Sequence, residues 1–496
     1  MKSITSLSAA AALLSGTADA FWRMPCQGRI ALERLDPIVD PNVASSHAHA
    51  IHGGSNFGES TTYDNLRESD CTSCQFKDDK SAYWTPSMHF VHEGGKTEIV
   101  PQIGGMLAYY LLLGDDLKAF PEGFEMLAGD SRKRNFTGSV PDKPLAEWGP
   151  EDTTQVSLME KSLGFNCLNY AKTPEGSRYR HSMPTKEYID DNCANGIRAE
   201  IMFPSCWNGK DVTTKDHKSH MAYPSEIDGG TCPEGFDTRL PSLFYETIWN
   251  TNAFNGKPGQ FVWSNGDPTG NGYHGDFMNG WNIDTLQSAV NDCTDPSGRV
   301  EDCVHFIDSL NSEDEMQNQC KIQDLPKILS DDNCAGPANG LCGDVPVQYG
   351  PGYAAPLTAG AGGGEPTAVP SLSSLVVPTQ SYAPARSEVN GISVYDAPTS
   401  AAAPATSAAA PSYAAESAAA APAVTAAAEV KHASKQDADG SIISTTTYTS
   451  AGTVYEVAIK EIAVTVTIED DSYKARHRRH AHLHRRDREH GLLGRH

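Results

Sequence analysis

The sequence predicts an all-β domain, a disulfide-stapled β-sandwich of jelly-roll type, followed by a disordered tail rich in Ala, Pro, Ser and Thr. Three observations predict it. Short apolar runs recur between clusters of Gly, Pro, Asn and Asp, the pattern of many strands joined by turns. All twelve cysteines lie between Cys26 and Cys342, an even number suited to disulfides in an oxidising compartment. Beyond Gly350 the composition shifts abruptly to small residues and proline, which cannot bury a core.

Residues 1–20 read as a signal peptide. Lys2 gives a positive start, Ala9 to Leu14 is a short apolar run, and Ala18-Asp19-Ala20 is an A-x-A cleavage site. The mature chain then begins at Phe21, which excludes a copper brace built on an N-terminal histidine. Residues 21–345 form the globular β-rich domain. In its first part, Pro25, Pro37 and Pro41 interrupt short apolar pieces, as in edge strands and turns. His47 and His49 alternate with Ala48 and Ala50, so a strand would send both imidazoles from one face, a spacing used by many metal sites. His52 would leave the opposite face.

Cys71-x-x-Cys74 is expected to feed two different bridges. Residues 98–102, 106–113, 196–203 and 260–263 are strand-like, and Gly280 to Val290 is the best helix candidate. Asn135-Phe136-Thr137 is an N-glycosylation acceptor, so that loop should be exposed.

Trp263 to Trp281 carries five glycines and Pro268, yet also Tyr273, His274, Asp267, Asp276 and Phe277. It reads as a long ordered loop that holds a polar site between aromatic walls. The alternative is a tight structural loop with Asp267 and Asp276 as turn formers. Residues 351–430 read as a low-complexity linker or O-glycosylated stalk, 431–470 as a short β-prone segment, and 471–496 as a basic His/Arg-rich tail.

The formal net charge is −24, and the last 23 residues contribute about +6 of it in the opposite sense. So acidic a body is a poor nucleic-acid binder. There is no apolar run of membrane-spanning length. An extracellular or cell-wall location suits this balance.

Several motifs then stand in a fixed order: F-W-R-M-P-C at 21–26, S-H-A-H at 46–49 followed by G-G-S-N-F at 53–57, F-P-S-C-W-N-G at 203–209, H-M-A-Y-P at 220–224 and H-G-D-F at 274–277. Together they resemble a secreted fungal family known as a domain of unknown function, over about residues 21 to 290. The resemblance implies a secreted fungal protein in a cell-wall or biomass context, and no settled reaction.

His47, His49, Asp36, His220, His274 and Asp276 are the candidate acid, base or metal-binding groups, and convergence of the four histidines and Asp276 on one cleft is expected. A divalent metal is the cofactor that His47, His49, His220 and His274 would take. Trp207, Tyr223, Asp267, Tyr273, Trp281 and Arg198 are candidate sugar contacts, because aromatic rings stack on sugar faces while polar groups read hydroxyls. Two function classes follow. One is a glycoside hydrolase or polysaccharide lyase acting on cell-wall or plant polysaccharide. The other is a non-catalytic glycan-binding protein with the same residues holding a metal. No G-x-S-x-G motif occurs, which argues against an α/β-hydrolase.

Overall fold

The computed structural model describes residues 20–360 and two further strands, Ser441–Ser450 and Thr453–Glu461. The expected signal peptide up to residue 19, most of the expected stalk and the basic tail lie outside the described residues. The chain divides into two units, Met1–Pro398 and Thr399–His496.

The described part of the first unit is mostly β. Two five-stranded antiparallel sheets form its centre. The first runs, in spatial order, Ala20–Cys26, Gln102–Leu112, Ser242–Trp249, Ile197–Met202, Leu163–Cys167. The second runs Ala31–Glu33, His49–Gly53, Ala82–Pro86, His274–Met278, Glu125–Gly129. Pro25 lies in an outermost strand of the first sheet, where a missing N–H costs no ladder bond on the open side. The sheets pack face to face as a sandwich. Tyr83 of the second meets Tyr245 of the first edge-on at 5.7 Å between ring centroids, and Tyr245 donates its hydroxyl to the Asp276 carbonyl. Gly275 is needed at this contact: a Cβ there would come within 2.9 Å of the Phe203 ring.

Alternation along the strands sorts the second sheet into two faces. Ala50, Tyr83 and Phe277 face the main core between the sheets. Ile51, Trp84 and Met278 face outward into a smaller apolar cluster with Phe57, Leu66 and Ile38. A four-stranded sheet (Gly259–Trp263, Met88–His92, Lys96–Ile99, Ala338–Asn339) and a three-stranded one (Met221–Ala222, Cys206–Trp207, Thr238–Arg239) flank this sandwich.

The helix expected near residues 280–290 is Ile283–Asp292. Asn282 caps it by accepting from the Thr285 N–H, and Leu286, Ala289 and Val290 are buried. All twelve cysteines pair, as Cys26–Cys74, Cys71–Cys320, Cys167–Cys193, Cys206–Cys232, Cys293–Cys303 and Cys334–Cys342. Cys71 and Cys74 therefore enter different bridges. Asn135 is exposed, as its sequence context requires.

One sequence expectation needs correction. Trp263 to Trp281 is not loop throughout. Trp263 ends one strand, residues 264–273 form the turns, and His274–Met278 is an inner strand of the second sheet. Five residues between glycine-rich turns suffice for a strand when two neighbours supply the ladder. In the second unit, Ser441–Ser450 and Thr453–Glu461 pair antiparallel as a hairpin, and the third β-prone run lies outside the described residues.

Candidate metal centre

The site stands on the outer face of the second sheet, next to the small apolar cluster that holds Leu35, Ile38 and Trp84. His49 opens its strand opposite Pro86. Asp276 pairs with Trp84, which sets His274 level with the same Pro86. His49 and His274 thus stand on either side of one central strand, on one face. His47 sits in the bend just before His49 rather than in the strand, and still turns its ring toward both. Ring centroids are 4.3 Å apart for His47 and His49, and 5.1 Å for His47 and His274.

The ligand atoms of the three imidazoles lie within 4.8 Å of one another. His47 Nε2 is 3.1 Å from His274 Nε2. The opposite ring nitrogens are anchored. His49 Nδ1 faces the Leu35 carbonyl at 3.0 Å and His274 Nδ1 faces the Gly272 carbonyl at 3.0 Å. A carbonyl oxygen only accepts, so both Nδ1 atoms carry the proton and both Nε2 atoms present lone pairs. His47 Nδ1 meets the Ser46 hydroxyl at 3.1 Å, which accepts or donates as the tautomer requires. His49 Nε2 is buried with no partner.

Burial, then the neighbouring imidazoles, holds His47 and His49 well below the ordinary histidine range; burial pulls His274 down to about 4. All three rings are neutral at neutral pH, the form that binds metal.

Two carboxyls stand beside them. Asp276 leaves the same strand face as His274, is fully buried, and has no hydrogen-bond partner on either oxygen. Burial and the adjacent Asp36 push it well above the usual carboxylate range, against the pull of Lys218. Asp36 accepts the Ile38 and Val39 N–H groups on Oδ1, and burial raises it to about 7. Lys218 and Arg134 belong to this neighbourhood and are not legible as site residues in the sequence. Lys218 arrives on a strap that follows the outer strand Glu125–Gly129: the Glu125 N–H donates to the Val212 carbonyl, the Leu127 N–H to the His217 carbonyl, and Lys218 Nζ to the Gly129 carbonyl.

The remaining expected residues scatter. His220 is a correction to the expected convergence. Its Nδ1 meets the Thr214 hydroxyl and its ring packs on Phe124, with no contact to the three histidines. The bulk of the Phe124 side chain gives it an apolar seat of its own. Tyr223, Tyr273 and Trp281 do not wall a cleft, because their rings are buried in packed clusters. Large aromatic rings gain more from core burial than from exposure. Trp207 is half-buried and donates Nε1–H to the Asp211 carbonyl. Asp267 is a turn former: it accepts from Thr269 and from the Gly272 N–H, and pairs with Arg134. Arg198 forms an ion pair with Glu200 at 2.6 Å on the first sheet.

Residues 36–281 match the family model of a domain of unknown function, DUF1996. This part of the chain belongs to that family. The matched segment contains His47, His49, His274, Asp36 and Asp276. No curated protein and no solved structure matches the chain significantly. Its six disulfides are compatible with a secreted protein, and no helix among the described residues is long and apolar enough to cross a membrane.

Proposed function

We propose that the domain binds one divalent transition metal through Nε2 of His47, His49 and His274, and that this centre serves hydrolysis or β-elimination on a cell-wall or plant polysaccharide outside the cell. The carrying observation is the anchoring of two Nδ1 atoms to backbone carbonyls while the Nε2 atoms converge. Nitrogens each about 2.0–2.1 Å from a tetrahedral ion stand roughly 3.3 Å apart. The 3.1 Å between His47 and His274 is close to that separation. Bound there, the metal would act as a Lewis acid, and the carboxyls of Asp36 and Asp276 supply acid and base groups beside it.

A second reading has its own support. The three imidazoles are sealed, His47 being the most exposed at 5%. A closed metal of this kind suits a non-catalytic glycan-binding protein in which the ion holds two distant segments together.

Elemental analysis of the purified protein, with product release from a panel of fungal and plant polysaccharides, separates these readings. One metal per chain, lost in His49→Ala, with metal-dependent products, is the expected result. One metal without products supports the binding protein. Absence of metal after loading at neutral pH refutes the centre.

A further inference from the structure

The environment of Asp276 bears on what else the metal would hold. Both of its oxygens are buried and bare. A buried acceptor without a donor destabilises the fold, more so when charged. Its neighbours do not relieve this. Asp36 already accepts two backbone N–H groups, and Lys218, which donates to the Gly129 carbonyl, makes no hydrogen bond to Asp276. A proton shared with Asp36 would occupy one Asp276 oxygen and leave the other bare. His49 Nε2, also bare, is a second buried polar atom without a partner on the same face of the sheet. A metal ion satisfies His49, and a water on that ion brings O–H donors toward Asp276.

Resting on the metal reading above, we propose that the centre keeps one exchangeable coordination position, and that Asp276 holds a water there. Three protein nitrogens plus one exchangeable ligand is the arrangement of open zinc sites; closed structural sites fill all four positions from the protein. Asp276 is then a positioning residue, as carboxylates around metal sites commonly are.

The test loads the full-length protein with Co²⁺, whose visible absorption reports its ligands, and titrates azide. The wild-type spectrum should shift saturably with azide. Asp276→Asn should keep one cobalt per chain and bind azide about tenfold more tightly, because the water that azide displaces is held less firmly. Asp276→Glu should restore the wild-type azide affinity at least in part, which a merely structural role would not. A cobalt spectrum that azide never moves overturns the open position while leaving the metal centre standing. So does an azide affinity unchanged in Asp276→Asn. A chain that binds no cobalt takes both proposals down.

Discussion

Two buried polar groups of this domain, equally cut off from water, are satisfied to very different degrees. In the main core, Asp79 accepts the Tyr83 hydroxyl at 2.6 Å and the Ser81 N–H at 3.1 Å. Tyr83 and Tyr110 hydroxyls meet at 2.7 Å, and Trp281 donates Nε1–H to Tyr110 at 2.8 Å. On the outer face of the second sheet, Asp276 and His49 Nε2 have no such partners. A closed network of hydrogen bonds stabilises and specifies a core; an open one invites a ligand. The difference marks the first group as a closed structural network and the second as one with unmet hydrogen bonds.

Substitutions sharpen this contrast. The largest effect is expected at Trp281. Trp281→Ala removes a fully buried ring and its bond to Tyr110, and should lower unfolding free energy by about 3–5 kcal/mol, read by denaturant titration. A loss below about 1 kcal/mol would break the assignment of this ring to the core.

Next is Tyr83→Phe, which deletes the hydroxyl between Asp79 and Tyr110. It should cost about 1–3 kcal/mol by the same measurement, with metal uptake unchanged. Metal loss in this variant would mean that the two groups are coupled.

The pH dependence comes third. Burial raises Asp79 to about 7, above its ordinary value of 3.8. Between those values the folded chain binds the proton and the unfolded chain does not. The stability that this group contributes is therefore fully present below about pH 4 and is lost as pH rises through about 7, by at most about 1.4 kcal/mol per pH unit. Asp79→Asn lacks this slope, so the gap between wild type and variant should change across pH 4–7 by urea unfolding at fixed ionic strength. Parallel stability curves would show that Asp79 is ionised in the fold.

The smallest expected effect is Asp276→Asn in the metal-free chain. Removing a carboxyl that has no partner should leave stability within about 1 kcal/mol of wild type, or raise it. A loss of several kcal/mol would place Asp276 with Asp79 as a structural group.

Much of the centre was legible as spacing. His274-x-Asp276 turns two side chains one way on a strand, while His47 reaches His49 and His274 from a bend that strand alternation does not describe. The aromatic walls were not legible. Tyr273 and Trp281 look the same in sequence whether they line a cleft or fill a core, and packing put them inside. Nothing near His220 distinguishes it locally from His274. The strap that carries it sends Lys218 toward Asp276 and leaves His220 against Phe124.

What the sequence by itself determined is local. Alternation sets which side chains share a strand face, proline marks the outermost strand at Pro25, and the span from Cys26 to Cys342 bounds the crosslinked unit. Only the tertiary structure decided the partners. His47 and His274 lie 227 positions apart and touch because antiparallel ladders set two distant strands beside Ala82–Pro86. Strand order in a sheet depends on long-range packing of whole faces, which the pattern along any one strand does not encode.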